Sequence, residues 1–189
     1  KSHPKLLQLM EDSEKHEMKV LAMLQEQRIE YAGSVVLGLN DALVELTGAL
    51  AGLTFALRNG TIVAITGLIT GFAASLSMAA SGYLQSREEA DQNEEKNPLI
   101  AAFYTGIAYI VTVILLVLPY FLIENIYVAL IVMLTVAILI VLSYTFYITT
   151  AKDQPFWRRF LEMAIISLTV AVISFGVGSL LRYIFGVEI

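Results

Sequence analysis

The feature that most constrains this chain is a long apolar stretch with two acids near its middle. Residues 31–57 read YAGSVVLGLNDALVELTGALAGLTFAL and contain neither Lys nor Arg. A stretch of about 27 residues is long enough to cross a bilayer as a tilted helix. Asp41 and Glu45 are four residues apart, so a helix places both carboxylates on one face.

Acids at this depth indicate a path for cations or protons. A carboxylate at the bilayer centre costs roughly 2.5–3.5 kcal/mol on insertion scales, and such residues commonly mark ion routes. Asn40 adds a neutral carbonyl oxygen beside them. The alternative is a buried structural polar cluster in which the two acids are bonded to neighbouring groups, for example Thr47, Ser75 or Arg182.

Four further apolar runs predict four more spans, at about 61–83, 99–123, 126–150 and 160–185. Apolar residues make up 57% of the chain and charged residues 15%, and the charges fall between the runs. We therefore predict an all-α, polytopic membrane protein with five transmembrane helices. The chain has no cysteine, which excludes disulfides and thiolate metal sites, and its net charge of −5 argues against nucleic-acid binding.

Positive charges predict the orientation. With the N-terminus inside, ten of the 12 Lys and Arg residues lie on the cytoplasmic side, and only Arg58 and Arg182 lie outside. The sequence therefore predicts an N-in, C-out protein.

Residues 1–30 are predicted to form a cytoplasmic segment with an amphipathic helix over 4–30, ahead of a membrane domain at 31–189. An apolar stripe at roughly heptad spacing is formed by Leu7, Met10, Leu21 and Leu24. Glu14 and Glu17 interrupt this stripe. This pattern is typical of a solvated helix, and also of one piece of a helical bundle with inward carboxylates.

Residues 84–98, LQSREEADQNEEKNP, are predicted to form the longest polar loop. Glu88 and Glu89 are its first acids. Such a run is usually a solvated face, but near a cation path it could concentrate divalent ions.

Small residues recur at four-residue spacing on the first two spans: Gly48 and Gly52, then Gly67, Gly71, Ser75 and Ala79. This small-xxx-small pattern lets membrane helices approach closely. We expect it to pack the first span on the second, or to pack across a dimer. Met78 lies near the cytoplasmic end of this face, where a methionine is more often a packing residue than a ligand.

The first two spans resemble the vacuolar iron transporter (VIT) family through GLNDALVELTGALAGL and GFAASLSMAASGYLQSREEAD. The resemblance implies a five-helix dimer that moves Fe²⁺, often Mn²⁺, out of the cytosol by proton antiport along the subunit interface. It matches Asp41 to the family's first-span Asp and Met78 to the Met of its SMAA motif. Ser81-Gly82 stands where the family usually has Gly-Glu, and the long metal-binding insert of plant members is missing.

The string EDSEKHE resembles the last metal-binding helix of ferritin-like, rubrerythrin-type domains. It implies that Glu14, His16 and Glu17 are ligands at the end of a ferritin-like domain that lies mostly upstream of residue 1. Ser13 replaces the glutamate expected three residues before His16. Prokaryotic fusions join these two domains, so we expect a prokaryotic plasma membrane.

The first hypothesis is thus an exporter of Fe²⁺ or Mn²⁺, with Asp41, Glu45, Asn40 and Met78 as its metal site. The ion is cargo, and no permanently bound cofactor is expected. Two alternatives remain: a proton-coupled carrier or channel for another solute, and a non-transporting anchor for the ferritin-like domain. An enzyme is not expected, and the partners are membrane lipid and a second copy of the chain.

Overall fold

In the computed structural model, the backbone is described for residues 4–90, 97–152 and 155–185. Side chains are described for residues 31–89, 97–150 and 155–184. The chain divides into two compact units, Lys1–Gly33 and Ser34–Ile189, and the second contains the acids of the first apolar run. The predicted ligands Glu14, His16 and Glu17 lie outside the described side chains.

Within the described ranges the chain forms five helices and no strand. They are α1 (Pro4–Leu57), α2 (Gly60–Ala90), α3 (Pro98–Leu122), α4 (Ile126–Lys152) and α5 (Phe156–Phe185). Each contains a segment long and apolar enough to cross a membrane, the first being Tyr31–Leu57. The predicted all-α architecture with five spans is confirmed.

Two helices extend further than the apolar runs suggested. Helix α2 continues past Tyr83 to Ala90, and α5 begins at Phe156, not at residue 160. The prediction of a polar loop over 84–98 is therefore wrong for its first seven residues. Gln, Arg, Glu and Ala favour helix even in water, so hydropathy marks the end of a span but not the end of its helix.

Asparagine side chains cap the N-termini of three of the helices. Asn59, Asn97 and Asn125 precede α2, α3 and α4, and each accepts a hydrogen bond at 3.0 Å from a first-turn amide, on Ile62, Leu99 and Tyr127 respectively. These caps satisfy amides that have no partner inside the helix. Helix α1 ends where Arg58 takes a left-handed conformation, with φ of 48°.

Side-chain contacts and the short turn after α1 give the directions of α2 and α3 relative to residues 34–57 of α1. The Glu45 carboxylate bonds to Tyr109, and the Thr54 hydroxyl bonds to Tyr120. The residue numbers of the bonded partners increase in the same direction along both helices, so α1 and α3 run parallel. The short turn at Arg58-Asn59 makes α2 antiparallel to α1, and Leu50 contacts α2 at the position of Gly67.

Gly48 and Gly52 of α1 lie against α5. A Cβ on Gly52 would lie 2.9 Å from the carbonyl oxygen of Ser174, and one on Gly178 would meet the backbone of Gly52. A Cβ on Gly48 would approach Val170. We expected these two α1 glycines to face the second span or a dimer partner, and the structure places them on the fifth span. Four-residue spacing identifies a close-packing face but not the helix that occupies it.

Candidate cation site

Asn40, Asp41 and Glu45 lie on α1 within the second unit. Asp41 is partly buried, Glu45 is exposed in the single chain, and the two carboxylates interact electrostatically. The Asn40 Oδ1 atom is buried and has no hydrogen-bond partner. A buried oxygen of this kind is uncommon, because such acceptors normally have a donor, a water or an ion.

Tyr109 belongs to this site and was not predicted from the sequence. Its side chain is 0% exposed, and its hydroxyl donates a hydrogen bond of 2.9 Å to Glu45 Oε2. The phenol also lies within electrostatic range of Asp41. A tyrosine in the middle of the third apolar run was a visible signal, because a buried hydroxyl needs a partner. Its pairing with Glu45 depends on the alignment of α1 with α3, which the sequence does not give.

A cavity of about 480 Å³ opens beside Glu45 and Tyr109. It lies between α1, α2 and α5, and glycines of all three helices contribute to its wall: Gly48, Gly52, Gly71 and Gly178. Its polar lining includes Thr66, Thr70 and Ser174. The volume is many times the roughly 30 Å³ that a water molecule occupies in the liquid. Glu45 therefore faces a space that can hold water.

Met78 reaches the level of the acids along the bundle, but its side chain packs against the apolar core. From the contact between Leu50 and Gly67, Asp41 lies about 14 Å along α1 and Met78 about 17 Å along α2, using the helical rise. The two therefore lie within one helical turn of each other in depth.

Glu88 and Glu89 lie far from the two acids of α1. Both are exposed near the end of α2, and Glu89 Oε1 accepts a hydrogen bond of 3.1 Å from Gln85. They lie about 15 Å beyond Met78 along the helix axis.

Thr47, Ser75 and Arg182 are the partners that the sequence suggested for the two acids in a structural polar cluster. Ser75 instead donates to the carbonyl of Phe72 at 2.7 Å. Thr47 Oγ1 and Arg182 Nη1 are buried without a hydrogen-bond partner. A polar cluster sealed by those three residues is therefore not formed.

Among the residues with described side chains, no group of three His, Cys, Asp or Glu side chains is placed to hold a metal ion. In the part of the chain whose side chains are described, the α1 site thus consists of two carboxylates and one amide oxygen. Divalent first-row metals ordinarily take more ligands than these three oxygens supply.

The sequence model of the VIT family matches residues 32–97 and 87–179. The chain belongs to the VIT family. The match spans all of the α1 site, Met78, Tyr109 and most of the cavity lining. Its two parts overlap in the segment that joins α2 to α3. No curated protein matched the chain. Membership makes this an integral membrane protein of a metal-ion transporter family.

Proposed function

We propose that this VIT-family protein exports Fe²⁺, Mn²⁺ or both from the cytosol in exchange for protons. The observation that carries this is the set of Asp41, Glu45 and the partnerless Asn40 Oδ1 on one segment of α1. All three are oxygen donors inside an apolar span, and oxygen donors suit both ions. Asp41 is the obligatory metal ligand, and Glu45 shares metal and proton duty.

A second copy of the chain completes this site. Two-fold symmetry beside α1 would bring four carboxylates around one path, where a single copy supplies two. The partial burial of Asp41 and the exposure of Glu45 in one copy are compatible with a path at such a seam. The homodimer is thus part of the proposal.

Cytoplasmic groups would collect the ion. With the N-terminus inside, Glu88 and Glu89 lie at the cytoplasmic mouth, where their charge raises the local concentration of divalent cations. A ferritin-like domain upstream, to which Glu14, His16 and Glu17 would belong, would deliver iron to the same side. In this scheme the protein lies in a prokaryotic plasma membrane.

One observation favours the alternative function, a proton-coupled carrier or channel for another solute, in which the two acids transfer protons only. Met78 packs against the core, and a thioether beside the acids would serve metal transport but has no use in a proton relay. Under metal transport, the Met78 side chain leaves the core to meet the ion. Under the proton-coupled alternative, the Met78 side chain stays packed against the core.

The test compares Asp41→Asn with Glu162→Gln in proteoliposomes. Both changes remove one carboxylate charge without altering side-chain size, but Glu162 is exposed on α5 and lies outside the site. Uptake of Fe²⁺ and of Mn²⁺ is measured with and without a pH gradient. We expect Asp41→Asn to lose uptake by roughly 100-fold or more, since the site loses an anionic ligand, and Glu162→Gln to retain it. Undiminished uptake in Asp41→Asn would refute this site.

A further inference from the structure

Arg158 and Arg159 lie in the first turn of α5, where their charge does not stabilise the helix. Both side chains are exposed, and no described acid forms an ion pair with them; Glu162, one turn further along α5, is exposed as well. The first turn itself contains no acid. Cations are unfavourable there, because the start of a helix carries a partial positive charge. The stability of α5 therefore does not explain the two arginines.

Four aromatic rings contact one another where α4 ends and α5 begins. The ring of Phe156 packs edge-on against Phe146 of α4 and against Trp157, at centroid distances of 6.4 and 5.4 Å. It also stacks on Phe160 at 5.8 Å. Trp157 is nevertheless 70% exposed and Phe146 63% exposed. Ring contacts thus order this cluster, and it still presents aromatic surface to its surroundings.

Trp157 is the first residue of an exposed apolar stripe along α5. Leu161 and Ile165 follow it at four-residue spacing, so all three lie on one face of the helix, and they are 50% and 60% exposed. The stripe belongs to the membrane span Phe156–Ile184. Tryptophan at the end of a span lies at the level of the lipid headgroups. The surface beside the two arginines is therefore continuous with one that contacts lipid chains.

We propose that Trp157, Arg158 and Arg159 form a binding site for an anionic phospholipid, here called the α5 lipid site. The acyl chains lie along the stripe, and the headgroup phosphate meets the two guanidinium groups. Arginine suits this role, because its planar fork donates paired hydrogen bonds to phosphate and is more weakly hydrated than an ammonium group. A net negative headgroup also balances two cations that have no described acidic partner. The proposal goes beyond the proposed function and does not depend on which ion is transported.

Trp157 provides the assay, because it is the only tryptophan in the chain and its fluorescence reports on this site alone. The protein is reconstituted into phosphatidylcholine vesicles that contain increasing fractions of brominated phosphatidylglycerol or, in a parallel series, brominated phosphatidylcholine. Bromine quenches tryptophan only at close range. The anionic lipid is expected to reach half-maximal quenching at a mole fraction at least about fivefold lower, the effect of one arginine near an anionic lipid surface. Equal quenching by the two lipids would overturn the proposal.

Charge variants test the role of the arginines. The double variant Arg158→Gln, Arg159→Gln keeps Trp157 as reporter and is expected to lose the preference for the anionic lipid. The matched control is Arg87→Gln, which removes an exposed cation from the end of α2 and should retain the preference. The charge-conserving variant Arg158→Lys, Arg159→Lys should also prefer the anionic lipid. An unchanged preference in the double glutamine variant would refute the α5 lipid site. If that variant does not fold, the wild-type comparison of the two lipids still decides.

Inorganic phosphate distinguishes a lipid site from a site for the free anion. Potassium phosphate replaces potassium chloride at constant ionic strength, so that screening is the same in both buffers. Quenching by brominated phosphatidylglycerol is expected to stay unchanged, because the lipid also contacts the apolar stripe. Loss of quenching as phosphate rises would assign the arginines to the free anion and overturn the lipid assignment.

Discussion

Alanine at Gly178 tests the contact between α1 and α5 that forms one wall of the cavity. A Cβ at this position would collide with the carbonyl oxygen of Gly52 and lie 2.9 Å from its carbonyl carbon. Both atoms belong to backbone, so a rotamer change cannot relieve the collision. The helices must separate, and overpacking of this kind costs about 1–3 kcal/mol.

Gly176→Ala is the control, because a Cβ there meets nothing within 4 Å. Both variants gain the same helix propensity, about 1 kcal/mol for Gly to Ala. That gain cancels in the comparison, and the remaining difference between Gly178→Ala and Gly176→Ala is the steric cost of about 1–3 kcal/mol.

The measurement is unfolding in mixed micelles with increasing SDS, followed by far-ultraviolet circular dichroism. Gly176→Ala should unfold at the same SDS fraction as wild type or a higher one, and Gly178→Ala at a clearly lower one than Gly176→Ala. If the two variants unfold together, Gly178 does not pack on α1, and α5 does not form this wall of the cavity.

Two further predictions concern orientation and ion collection. Because the chain has no cysteine, single substitutions report sidedness: a membrane-impermeant thiol reagent added to intact cells should label Glu124→Cys and spare Pro155→Cys. The reverse pattern would mean N-out. Glu88→Gln should lower uptake at low metal and low salt but not at saturating metal, and the difference should vanish near 1 M salt, where the screening length is about 3 Å. A salt-independent loss would instead indicate a direct ligand.

The number of spans could be predicted from sequence because each apolar run is long and bounded by charges or turn residues. The ends of the helices were harder to predict from the sequence. Residues 84–90 are polar enough to leave the membrane and still favour helix, so α2 continues through Glu88. Hydropathy reports the surrounding solvent, and helix formation depends on propensity and capping.

The sequence predicted the acids of the candidate site but not the tyrosine that bonds to one of them. Asp41 and Glu45 stand out because charge is rare in an apolar span, and their shared face follows from four-residue spacing. Tyr109 was not identified, because a tyrosine in a span has many uses and its partner is 64 residues away. The partners of Gly48 and Gly52 were also missed, since they depend on how α5 returns to α1.

The two tyrosine contacts also limit how this protein can move. Tyr109 and Tyr120 fasten α3 to α1 at two depths, through Glu45 and Thr54. Sliding or rotating one helix against the other would break both bonds, and the buried Tyr109 and Tyr120 hydroxyls would then need other partners. A transport cycle that opens the site to each side in turn must therefore carry α1 and α3 as one body.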